Sequence, residues 1–349
     1  MSNSAEIDDH HRYREMLQRS LLTSGWETAF EARRFSEWAR DNRERLADHA
    51  RAVLGGNGPS AWETHVTEIF ERFVPRTQYE LPTTEAIFRP LFDAVLECAE
   101  AIGLPPIRNV ELVTSTSISP SPFARPTSDV HQLFIGPGTS MFCNYWAKAF
   151  NAVVTSIRAQ GPPFPRVQSA SDLNVHLSRD PRGLMLATRL ALYYAATGSL
   201  IGFGEIAEPP GSYLYRTQLL SAMEVFVVSH EYAHFVADER RLEFVDETGQ
   251  SSTQSLELFC DELGLQLTRE WGSRHENWLA FTGVGANQSS YPATSERLRQ
   301  IARWTTTKTT EDQRDAVQAF LGEYVVICEA VRAKVLEITS AAIASATTS

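Results

Sequence analysis

The segment Val225-Phe226-Val227-Val228-Ser229-His230-Glu231-Tyr232-Ala233-His234 limits this chain more than any other. It is an apolar run followed by two histidines four residues apart, the pattern HExxH. On a helix those histidines share one face, one turn apart, and both imidazoles can reach a single Zn²⁺ at about 2.0–2.1 Å. The spacing predicts a long helix from Arg216 to Arg241. The pattern also leaves a plainer reading open, in which His230 and His234 are core histidines with satisfied hydrogen bonds.

Glu231 lies to the side of the histidine pair. There a carboxylate can take a proton from a water activated by the metal and pass it to a leaving amine. A catalytic zinc needs a third protein ligand and keeps its fourth position open. Downstream, in the stretch from Ser251 to Leu267, Ser251 with Gln254 fits a capping box and predicts a helix from Thr253 to Arg269. Glu257 and Asp261 lie four apart on one face of that helix. One carboxylate as ligand and the next as hydrogen-bond partner of a ligating imidazole is the arrangement that orients zinc ligands. Glu257 and Asp261 fit those roles, with a solvated acidic face as the alternative.

HEYAH followed by ELFCDELG resembles the glutamate-ligand zincin metallopeptidases, the gluzincins. The M48-like group is the most similar, with Cys260 where that group carries Ala. Two shorter echoes accompany it. Ser290 to Arg297 is similar to the group's THPxxxxR segment with Tyr291 in place of His, and Ser121-Pro122-Phe123-Ala124 is similar to its turn preceding an edge strand. The resemblance implies an α+β, mainly helical zincin-like core with a small mixed sheet. It also implies Zn²⁺ on His230, His234 and Glu257, Glu231 as general base, Asp261 orienting a ligand, and transition-state roles for Tyr291 and Arg297. An edge strand would pair with an extended protein or peptide substrate. It covers about Met223 to Arg297 well and Val110 to Ile135 faintly.

The rest of the chain organises around this segment. Residues 1–105 read as a helical N-terminal region, with a break at Gly55 to Pro59 and a helix over Thr84 to Ile102. Val110 to Val113 and His131 to Ile135 read as short strands around a Pro/Ser-rich turn, inside a catalytic domain over 106–305. Gly136 to Ser140 reads as a turn, because it lacks the Lys and spacing of a phosphate loop. Gly161 to Ser171 reads as a loop. Leu184 to Gly204 is apolar enough to need a membrane test. Asp180-Pro181 as a helix start, Gly198 as a stop and an internal Arg189 favour a buried helix instead. Residues 306–349 read as a C-terminal helix followed by a small, polar, disordered tail from Ser340.

Composition sets the functional classes. A chain of 349 residues with 43% hydrophobic and 21% charged residues has ordinary globular usage and room for a sizeable core. A net charge of -11 gives no general field toward nucleic acid or anionic lipid. Cys98, Cys143, Cys260 and Cys328 are too scattered for a disulfide scaffold, and the polar N-terminus has no signal-peptide pattern. Both point to a cytoplasmic setting without stable membrane insertion. His10-His11, His131, His176 and His275 are weaker metal or donor candidates. The expected activity is zinc-dependent endopeptidase hydrolysis of an intracellular protein or peptide. The alternatives are a zinc-binding regulatory or protein-interaction module and a metal-free helical interaction protein.

Overall fold

The computed structural model describes residues 80–107, 109–126, 130–158, 170–200, 202–204, 206–208, 213–245, 252–277 and 325–342, together with Arg14, Met16, Gln18 and Arg72. These residues form a mainly helical α+β fold with a small mixed sheet.

Helix α1, Pro82–Ala101, starts on a proline whose missing N–H costs nothing in the first turn. Phe88, Phe92, Val95 and Ala99 recur at helical spacing and are buried, forming a single apolar stripe. The helix stops where Gly103 takes φ 77°, with Gly103 N–H donating to Glu100 O and Leu104 N–H to Ala99 O.

Strands β1 (Val110–Thr114), β2 (Phe123–Arg125) and β3 (His131–Ile135) form a sheet of order β1-β3-β2. β1 runs parallel to β3 and β2 antiparallel to it, with Val110 opposite His131 and Ala124 opposite Leu133. β3 is buried along its whole length, as a strand paired on both sides and packed by helices must be. Phe123 and Ala124 therefore belong to the edge strand, whereas the sequence places them in a turn before it. The ring of Phe123 stacks on Phe134 at 4.8 Å and anchors that edge. On the opposite edge, Gln18 Nε2 donates to Thr114 O at 2.7 Å, and Arg14 pairs with Glu111.

The segment Gly136 to Ser140 is not a turn but the start of helix α2, Pro137–Arg158. Pro137 can open a helix as readily as a turn. The glycines are required by packing: a methyl group on Gly136 or Gly138 would fall on the carbonyl oxygens of Ser117 and Ile118. Helix α3, Ala170–Arg179, leads into α4, Arg182–Thr197, which ends at Gly198 with φ 68°. Ala170 and Ser171, expected in a loop, are the first residues of α3. α4 is buried on one face only, through Gly183, Ala187 and Leu190, while Arg189 is exposed. Gly183 lets α4 approach α2, since a Cβ there would lie 2.6 Å from Val153 Cα. Among the described residues, no helix is long and apolar enough to cross a membrane.

Helix α5, Tyr213–Glu239, is central, and every residue from Ala222 to Ala233 is buried. A helix apolar around most of its circumference needs neighbours on several sides, and α5 packs against α1, α2, α6, β2 and β3. Helix α6, Thr253–Arg274, is capped by Ser252, whose hydroxyl accepts from Ser255 N–H at 3.1 Å. The cap thus falls one residue after the expected Ser251, because Ser252 is the residue with extended backbone and a donor three positions on. A further helix over residues 325–342 adds Val326, Ile327, Ala330 and Val331 to the core. It includes Ser340 to Ala342, expected in the tail, consistent with the high helix propensity of Ala341 and Ala342. Residues 1–79 apart from the four named, and 278–324 with Tyr291 and Arg297, lie outside the described residues.

Candidate metal centre

α5 presents His230, Glu231 and His234 where α6 crosses it. The crossing is close because α6 carries glycine there: a Cβ on Gly264 would lie 3.2 Å from both Cα and N of His230. One turn earlier on α6 is Asp261, and one turn before that Glu257. The i, i+4 spacing on each helix therefore brings four functional side chains to one crossing.

His230 Nε2 lies 3.3 Å from Glu257 Oε2, and His234 Nε2 lies 3.8 Å from Glu257 Oε1. The imidazoles are 5.2 Å apart between centroids and inclined at 77°. The ligating atoms of His230, His234 and Glu257 all fall within 4.8 Å of one another. Ligands about 2.0–2.1 Å from a tetrahedral Zn²⁺ lie about 3.4 Å from each other, so small side-chain adjustments close this set on an ion. Two imidazoles and a carboxylate are the donor chemistry zinc takes in catalytic sites. The residues fit the metal.

Asp261 is fully buried, and its Oδ1 accepts from His230 Nδ1 at 3.0 Å. That bond directs Nε2 toward the cluster. Burial opposes charge on His230, but hydrogen bonds to Asp261 and Glu257 and the negative charges of Glu231 and Asp261 outweigh it. The imidazole is lifted to about 9.

Glu231 is buried beside the cluster and is pushed up to about 7, chiefly by burial. The positive charge of His230 opposes the rise, Glu257 adds to it, and the Ala124 backbone N–H donates to the carboxylate and lowers it. A carboxyl poised near neutrality can both accept and return a proton. The Ala124 bond also ties the edge strand β2 to the general-base position.

These side chains open on a cavity of about 610 Å³. Its floor is His230, Glu231, His234 and Glu257; β2 contributes Phe123 and Ala124, and Pro122 precedes them. Ser115, Ser117, Ser119 and Ser121 form a further wall. The sequence singles out Ser121 only as the start of a turn and gives Ser115, Ser117 and Ser119 no role; their signal is the strict alternation S-T-S-I-S-P-S, which reads as a Pro/Ser-rich turn.

Three of the weaker histidine candidates lie elsewhere, and His10-His11 falls outside the described residues. His275 ends α6, stacked on Trp271 at 4.7 Å with Nδ1 2.8 Å from Trp271 O. His131 opens β3, 3.5 Å from Glu239, and His176 is in the last turn of α3. None of the three lines the cavity. Cys98, Cys143 and Cys260 are buried thiols, and none of the four cysteines forms a disulfide. Comparison with protein-family models, with curated proteins and with solved structures yields no match for this chain.

Proposed function

We propose that this protein is a zinc-dependent endopeptidase whose centre is His230, Glu231, His234 and Glu257. The observation that carries this reading is the convergence of a two-histidine, one-carboxylate donor set with a separate buried carboxylate, Glu231, on one cavity. A structural zinc site is closed by protein ligands and has no use for a nearby base.

Zinc held by His230, His234 and Glu257 would supply Lewis-acid polarisation of a carbonyl and a water of lowered pKa. The chain's own residues do the rest. Asp261 fixes the His230 tautomer by taking the Nδ1 proton in a hydrogen bond, leaving Nε2 as the donor atom. Glu231 takes a proton from the attacking water on its carboxylate and returns it to the departing amine nitrogen. Burial and the Ala124 N–H hold that carboxylate between its charged and neutral forms. β2 is a sheet edge beside the floor, which suits an extended polypeptide pairing along it. The net charge of -11 gives no support for nucleic acid as the substrate. The cytoplasmic assignment and the intracellular substrate belong to this proposal.

The test is hydrolysis of a degenerate peptide mixture followed by mass spectrometry. Wild type is expected to cut, Glu231→Gln to keep zinc and lose at least a hundredfold in rate, and His234→Ala to lose both. A Glu231→Gln protein of full activity would remove the mechanism.

A further inference from the structure

The serine wall has no part in holding metal or moving protons, yet it is built with care. Ser117 N–H donates to Ser115 Oγ, Ser119 N–H to Ser117 Oγ and Ser121 N–H to Ser119 Oγ, each at 3.3 Å. The same segment is pinned from behind. Ser115 N–H donates to Ile135 O at 2.9 Å, Gly138 N–H to Ser117 O at 3.1 Å, Thr139 Oγ1 to Pro120 O at 3.2 Å and Ser199 Oγ to Ile118 O at 3.4 Å. Gly136 and Gly138 allow α2 to approach this closely. The backbone is fixed, and alternate side chains face the cavity.

A serine hydroxyl has one donor hydrogen and two acceptor lone pairs. At Ser117 and Ser119 a backbone amide occupies one of the two acceptor sites, so each offers the cavity its O–H hydrogen and one remaining lone pair. The wall is a row of neutral hydroxyls, each able to donate once and accept once more. Among the described residues lining the cavity, none is Lys or Arg, and the floor carries the carboxylates of Glu231 and Glu257.

These facts select among substrate side chains. An apolar side chain against the row would strip water from the hydroxyls without replacing it. With zinc bound, Glu257 and the metal-binding group of the ligand offset the ion's charge, so a carboxylate at the row would meet Glu231 and no cationic side chain. A neutral amide, with a carbonyl acceptor and N–H donors, satisfies the row without adding charge. We infer that Ser117 and Ser119, with Ser121 beyond them, form a specificity wall selecting polypeptide substrates with an uncharged amide side chain, Gln or Asn, next to the scissile bond. The inference rests on the peptidase reading for the identity of the substrate, but the wall itself can be tested by binding alone.

The probes are three peptide hydroxamates identical except for a Gln, Leu or Glu side chain, titrated calorimetrically into zinc-loaded wild-type protein. The Gln compound is expected to bind about tenfold or more tightly than either of the others. Ser117→Ala/Ser119→Ala is expected to bring the three within about twofold, and Ser117→Thr, which keeps the hydroxyl, to preserve the ranking. If the double variant does not fold, the wild-type ranking decides by itself. Equal affinities, a preference for Leu or Glu, or no binding of any compound overturns the proposal. Glu231-dependent peptide cleavage is scored separately. A protein that ranks the probes as expected but cuts nothing keeps the wall and loses the peptidase reading; one that cuts without ranking them does the reverse.

Discussion

His230 Nδ1 lies 3.0 Å from Asp261 Oδ1, a buried hydrogen bond joining helices whose paired residues are 31 positions apart. Asp261 has no exposed surface and touches the metal-site residue that points Nε2 into the cluster. It acts as a positioning residue. Asp261→Asn is nearly isosteric but no longer an obligate acceptor. It should weaken zinc binding about 10- to 100-fold, in line with other partners of metal-bound histidines. Competition with a chromophoric chelator reads this directly, and unchanged affinity would remove Asp261 from the site.

Zinc uptake should release a proton. Despite burial, the hydrogen bonds to Asp261 and Glu257 hold His230 at about 9, so in metal-free protein the imidazole is charged at neutral pH. A histidine ligand must be neutral. Zinc affinity should therefore rise close to tenfold per pH unit between about 7 and 8.5. The linkage also sets metal-free stability: the contribution from charged His230 is complete below 6.5 and is lost as pH rises through about 9. Calorimetry in buffers of different ionisation enthalpy would count the protons, and a pH-independent affinity would contradict the coupling of His230 to Asp261.

Glu224, two turns before Glu231 on α5, gives a second pH signature away from the cavity. Burial raises it to about 8, against the opposing effects of a hydrogen bond from Ser140 and the charge of Arg216. Its folded pKa lies above the unfolded 4.5, so the folded state binds this proton more tightly. Stability from this group is complete below 4.5 and is lost as pH rises through about 8. Glu224→Gln should melt with wild type near pH 4, gain on it progressively as pH rises from about 4.5 to about 8, and keep a constant lead above that. A pair of melting curves with the same separation at pH 6 and pH 9 would contradict this placement of the charge.

The sequence was most informative where the chemistry is local. His230 and His234, and Glu257 and Asp261, are each four apart on a helix, so each pair's shared face follows from helical geometry alone. The division of roles between Glu257 and Asp261 comes from the resemblance and not from spacing; the geometry that realises it is the crossing of α5 and α6, which depends on Gly264, whose role no spacing announces. α2 was illegible at its start because Gly136-Pro137-Gly138 carries the signals of a turn, while the glycines answer to Ser117 and Ile118 about twenty residues away. The serine row was hidden for a related reason: alternation becomes a wall only when the backbone behind it is fixed by α2 and β3. Tyr291 and Arg297 lie outside the described residues.

The central claim is that His230, His234 and Glu257 hold a zinc ion. The measurement that tests it most directly is zinc per chain, by plasma mass spectrometry, in protein purified without added metal and again after zinc incubation and desalting, beside His234→Ala and Glu231→Gln. The account predicts about one zinc in wild type and in Glu231→Gln, and loss of most of it in His234→Ala. Wild-type protein that holds no zinc even after incubation, or His234→Ala protein that holds as much as wild type, would contradict it.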